Sequence, residues 1–130
     1  MEKIMGNFLT IQKPVEITKE RFEDLLCNAL EGGVSYWADI DTSIHPPQDG
    51  DENIEFPHLA FTHPNYVIHV VDREDDGNTF RLKLEDLKKG FKIWTKDCSY
   101  HFENFLKEDD DAITADTFFQ CCVFGEVIYS

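Results

Sequence analysis

Glu31, Asp39 and Glu126 flank two glycine junctions, Gly32-Gly33 and Gly125. Carboxylates gathered at one place can divide acid and base work if their surroundings separate their pKa values. A plainer reading is open for each. Glu31 falls in the last turn of a helix, where a negative charge opposes the helix dipole, and Glu126 could bond backbone groups at its junction. Tyr36 and Trp37 follow the first junction and Gln120 precedes the second. Glu31, Tyr36, Trp37, Asp39, Gln120 and Glu126 therefore form a candidate ligand pocket. Tyr36 and Trp37 on a strand would face opposite ways. The outward one could stack a ligand or anchor a protein, unless the longest loop folds over it.

The histidines and cysteines offer less. His58 and His63 stand five apart in a loop, His69 is on a strand, His45 precedes two prolines, and His101 is on a short helix. Zinc sites use paired ligand doublets or two His one turn apart on a helix, and neither pattern is present. Cys98 and His101 could pair as nucleophile and base, but no orienting carboxylate or oxyanion donors accompany them. Cys27, Cys98, Cys121 and Cys122 include no C-x-x-C spacing, and they read as reduced thiols of a cytosolic protein. No cofactor is implied.

Charge is the stronger signal. Twenty-six acidic residues against twelve basic ones give a net charge of −14. Binding nucleic acid requires cations that displace condensed counterions. Direct contact with DNA, or with an anionic membrane, is therefore not expected. The acids gather in three runs, Asp49 to Glu55, Asp72 to Asp76 and Glu108 to Asp111. The plain reading is a solvated surface. The sharper one is mimicry of a phosphate backbone toward a basic protein, through Asp72, Glu74, Asp75, Asp76, Glu108, Asp109, Asp110 and Asp111. An EF-hand is not indicated, because the Asp72 run lacks the ligand spacing and closing Glu.

The elements that must hold these groups can be read from pattern. A length of 130 residues predicts one domain. Such a domain buries roughly two thirds of its unfolded surface. Residues 1–14 read as a loose start and Val15-Glu16-Ile17 as a short edge strand. Thr18 caps a helix over 19–31, whose apolar stripe is Phe22, Leu25, Leu26, Ala29 and Leu30. Gly32 and Gly33 end it in a left-handed conformation. A strand is predicted over 34–40, and residues 41–65 form a long irregular loop with an extended piece at 58–61. Tyr66–Asp72 is the clearest strand, and Asp76-Gly77 turns it into a partner at 79–82. A helix is predicted over 84–96, with Gly90 as a weak point. Ser99 caps a short third helix, Thr114 caps a fourth over 115–124 with Phe118, Cys121 and Cys122 inward, and Gly125 ends it. A final strand covers 126–129. The fold class is α+β, a small antiparallel sheet with about four helices on one face.

Two segments resemble small uncharacterised phage and prophage proteins. Ala29 to Trp37 is similar to their A-L-E-G-G-x-x-Y-W element, and Asp116, Gln120, Phe124-Gly125-Glu126 and Tyr129 are similar to their D-x-x-x-Q-x-x-x-F-G-E-x-x-Y ending. The resemblance covers roughly a quarter of the chain and carries no catalytic residue with it. It implies an accessory protein in the cytoplasm of a bacterial host. The leading expectation is a non-enzymatic protein that modulates or inhibits a host factor, such as a defence nuclease or DNA-binding protein, through a basic surface. The alternatives are a small-molecule or nucleotide-binding module at the glycine junctions and an enzyme using paired carboxylates. Oligomeric state is left open, a homodimer included.

Overall fold

The computed structural model describes residues 15–51 and 60–130. Helix α1 (Lys19–Asn28) starts where Thr18 predicts, the Thr18 hydroxyl accepting the Arg21 N–H at 3.1 Å. Leu25 and Leu26 of its stripe are fully buried. Val15-Glu16-Ile17 is not a strand, although Ile17 packs on the core. The predicted left-handed stop is also absent. The helix widens into a π turn, Ala29–Gly33, and neither Gly32, with φ of 179°, nor Gly33 is left-handed. Gly33 is needed for another reason: a Cβ there would stand 2.8 Å from the Ala112 carbonyl oxygen, at the start of the last helix.

The strand expected over 34–40 begins later. Residues 34–37 form a tight turn, held by Trp37 N–H and Ala38 N–H donating to the Val34 carbonyl at 3.0 Å each. Strand β1 is Ala38–Ile44, so residues 41–44, expected in the long irregular loop, are strand instead. Strand β2 (Tyr66–Asp72) pairs antiparallel with β1, Ala38 opposite Asp72 and Ile44 opposite Tyr66. Its other edge pairs antiparallel with β3 (Asn78–Leu82). The turn works as Asp76-Gly77 predicts, with φ of 51° and 72°, the left-handed pair that suits a twisted hairpin. Of the extended piece expected at 58–61, residues 58 and 59 lie outside the described residues, and Phe61 is a buried turn residue.

Helix α2 (Leu84–Asp97) carries Asp86 in its first turn, accepting the Lys83 N–H at 2.9 Å. Helix α3 (Ser99–Leu106) has Cys98, not Ser99, at its cap position and no side-chain cap bond there. Helix α4 (Ala112–Phe124) begins earlier than expected. Asp111 caps it by accepting the Thr114 N–H at 2.9 Å, and Thr114 is buried inside the first turn. Gly125 ends the helix at φ 77°, as expected. No strand follows.

Helices α1, α2 and α4 enclose the core on one face of the sheet. Tyr66, Ile68, Val70 and Asp72 share that face by the two-residue period and are all buried. Helix α4 is the hub. Every residue from Thr114 to Cys121 is buried, far more than the three inward residues expected. Its crossing with α2 is so close that a Cβ at Gly90 would lie 2.4 Å from Cys122 Cα. The glycine that lowers helix propensity is what permits the contact. Phe91 sits among Phe22, Trp94, Phe102, Phe105 and Phe118, with ring centroids 5.5–6.0 Å away.

Candidate functional site

The segment around Tyr36-Trp37 and the segment from Asp116 to Tyr129 are interlocked. Asp116, on α4 and only 5% exposed, accepts three side-chain bonds. Tyr36 O–H donates to its Oδ2 at 2.5 Å, and Trp37 Nε1 and Gln120 Nε2 donate to its Oδ1 at 2.8 and 3.0 Å. Gln120 is fully buried and one turn further along the same helix. Its Oε1 accepts the N–H groups of Ile128 and Tyr129 at 2.8 Å each, and its Nε2 also donates to the Tyr129 carbonyl at 3.0 Å. One side-chain amide thus satisfies the backbone that a neighbouring strand would have paired. This is why residues 126–129, although strand-like in sequence, stand as a single pinned segment.

The network continues to the sheet. Tyr129 O–H donates to Asp72 Oδ2 at 2.7 Å, and Asp72 Oδ1 accepts the Glu74 N–H at 2.9 Å. Asp72 was grouped with the outward acids, and the structure corrects this: it is 1% exposed, because period two places it on the core face with Val70. The bond to Asp72, then burial, then the charges of Asp72, Asp75 and Glu74 push the Tyr129 phenol up to about 12. Burial and the bond to Asp116 push the Tyr36 phenol up too. Both tyrosines are therefore neutral donors at physiological pH, and Asp116 has its lone pairs engaged.

The junctions are consequently held together as a structural lock. Trp37 is fully buried against Phe124 and Tyr129, at 5.3 and 5.5 Å between centroids, while Tyr36 remains half exposed. Asp39 and Glu126 lie on the surface, Asp39 Oδ1 standing 3.6 Å from Arg73 Nε. Glu31 is exposed and bonds the Cys27 thiol, which burial first and this bond second raise to about 11. Sequence reading missed Asp116 as the centre of the group. The available signal was composition: Asp116 is the one charged residue in Ala112–Phe124, within a chain that is 29% charged.

The acidic residues divide by environment. Glu74, Asp75 and Asp76 are exposed on the β2–β3 hairpin. Arg73 ties that hairpin to the 34–37 turn, its backbone N–H donating to the Trp37 carbonyl at 2.9 Å and its guanidinium to the Ser35 carbonyl. Glu108 and Asp109 are exposed in the α3–α4 turn. Asp110 is not free: it pairs with Arg21 at 3.2 Å, and its side chain is largely covered. Asp111 is spent on the α4 cap, whose backbone bonds from Thr114 first hold its carboxyl below the usual range.

The other reactive residues have structural partners. His63 Nδ1 accepts the Asn65 N–H at 3.0 Å, which leaves the Nε2 proton for Asp51 at 3.0 Å. His101 Nδ1 bonds Thr114 Oγ1 at 3.0 Å, and Cys98 pairs with Cys121, not with His101. His58 lies outside the described residues. Among the described residues no three metal-ligating side chains converge, and no helix is long and apolar enough to cross a membrane.

No protein-family model matches this chain, and no curated protein or solved structure is similar to it. Function therefore has to be argued from the surface that the lock presents. Tyr36 and Ile128 are each 48% exposed and Val127 is 38% exposed. The bonds from Asp116 and Gln120 fix Tyr36 and Ile128, and the bond from Asp72 fixes Tyr129 beside the hairpin that carries Glu74, Asp75 and Asp76.

Proposed function

We propose that this chain is a non-enzymatic binding protein that holds a basic surface of a partner protein at the hairpin end of its sheet. The observation that supports this reading is the pairing of exposed apolar residues, Tyr36 held by its hydroxyl and Ile128 by its backbone, with exposed carboxylates. Tyr36, Val127 and Ile128 supply exposed apolar area, and the exposed Glu74, Asp75, Asp76 and Asp39 belong to the hairpin and strand that Tyr129 and Arg73 join to those residues. Protein interfaces gain affinity from such anchors and gain on-rate and selectivity from the charged rim. Because the Tyr36 side chain and the 128–129 backbone are tied to buried groups, ordering them adds little entropic cost to binding. Glu108 and Asp109 add charge that steers approach. The resemblance to small phage and prophage proteins supports a bacterial host protein as the partner. A nuclease or DNA-binding protein fits, since its cationic groove is built for phosphates.

The test has two stages. A partner is captured from host lysate at low ionic strength, identified, purified and titrated against the wild-type chain. Affinity should fall as salt rises. The triple variant E74K/D75K/D76K should bind at least about tenfold more weakly, as expected for three rim charges of roughly 0.5–1 kcal/mol each. Unchanged affinity together with an unchanged salt slope would refute the proposal.

A further inference from the structure

A groove lies on another part of the molecule, between the chain entering α1, α1 itself, residues 61–62 and α2, and it holds a volume of about 490 Å³. That volume is typical of small-molecule sites. Its apolar wall is made by Ile17, Phe22, Phe61, Leu84 and Phe91. Phe22 stands 5.4 Å from Phe61 and 5.6 Å from Phe91 between centroids, so the wall is a continuous aromatic surface. The polar lining is mostly of one sign. Lys19, Lys88 and Lys92 all border the groove, and no carboxylate does among the described residues.

That arrangement runs against the rest of the chain. Three of twelve basic residues line one groove on a protein of net charge −14. Lys88 and Lys92 are four apart on α2, a spacing at which like charges destabilise a helix slightly. None of the three lysines forms an ion pair with a described residue, although acids outnumber bases by more than two to one. An anion at the mouth would relieve this repulsion and complete the site.

We infer that this groove binds a free small molecule with an apolar body and a single anionic head, of the class of medium-chain or aromatic carboxylates. The body would lie on the phenylalanine wall and the head among the three lysines. A lipid bilayer is the less suitable source of the same chemistry, because the net charge repels an anionic membrane surface.

Isothermal titration with decanoate, with decanol and with anionic phospholipid vesicles tests the inference on the full chain. Decanoate should bind saturably at one site, and decanol at least about tenfold more weakly. The triple variant K19Q/K88Q/K92Q alters only exposed side chains, so its fold should be retained and is checked by circular dichroism. It should lose about tenfold in decanoate affinity while its decanol affinity stays the same. Thr62→Trp, at an exposed position on the groove wall, should block both ligands. The inference is overturned by absent decanoate saturation, by equal affinity for decanoate and decanol, by lysine variants that bind as wild type, by Thr62→Trp leaving binding intact, or by binding to vesicles alone.

Discussion

Replacing Asp116 with alanine removes the acceptor shared by Tyr36, Trp37 and Gln120. The three donors are not equally affected. Tyr36 is half exposed and can turn to water, so its loss is about 1 kcal/mol. Gln120 Nε2 keeps the Tyr129 carbonyl. Trp37 Nε1 is fully buried and has no second acceptor shown, so it bears the desolvation penalty of about 1–3 kcal/mol. The net loss for Asp116→Ala is about 2–4 kcal/mol. At roughly 3–5 °C per kcal/mol for a domain of this size, Tm should fall by about 6–20 °C. Asp116→Asn should be much milder, at about 1 kcal/mol. Its oxygen can serve Trp37 and Gln120 in the place of Oδ1. Its amide can donate to Tyr36, because a hydroxyl can reverse its role. Urea denaturation followed by tryptophan fluorescence measures both, and the indole N–H resonance of Trp37 reports the broken bond directly. A loss below about 1 kcal/mol for alanine, or equal losses for alanine and asparagine, would show that this carboxylate does not hold the two ends together.

Other outcomes follow from the same geometry. Gly90→Ala should destabilise by at least about 2 kcal/mol in thermal melts despite alanine's better helix propensity, because its Cβ meets Cys122 backbone at 2.4 Å. The Tyr129 phenol is raised in the folded state, so its contribution is complete below the unfolded value of about 10 and is lost as pH climbs toward about 12. Denaturation midpoints should drop across that window, and Tyr129→Phe should flatten the drop. Burial raises the Cys27 thiol to about 11 and the Cys121 thiol to about 12, so at neutral pH the native protein should react slowly with an aromatic disulfide reagent and much faster once unfolded.

What could be read from sequence was what local chemistry determines. Thr18 announces α1, Asp76-Gly77 makes the hairpin and Gly125 stops α4, because each acts within a few residues of itself. Misplaced features depended on distant partners. Glu126–Tyr129 has strand composition, but Gln120 occupies its hydrogen-bonding edge. Asp72 looks like the first of a run of surface acids, yet strand period and Tyr129 turn it inward. Residues 34–37 look extended, but the N–H groups of Trp37 and Ala38 bond back to Val34 and the Trp37 indole reaches Asp116 on a distant helix. The candidate pocket named the right neighbours, Tyr36, Trp37 and Gln120, without the aspartate that unites them. The lysine-rimmed groove was invisible because α1, α2 and Phe61 meet there from separated stretches of chain.

The Asp116 lock also constrains how this protein can diverge. A change at Tyr36 or Trp37 leaves the Asp116 carboxylate short of a donor, and a change at Asp116 strands several donors, so neither segment can drift alone. Descendants should inherit the two short motifs as a matched set, more tightly coupled to each other than to the exposed chain between them. A recombinant joining one motif to a mismatched counterpart should fold poorly, even if every other residue is retained.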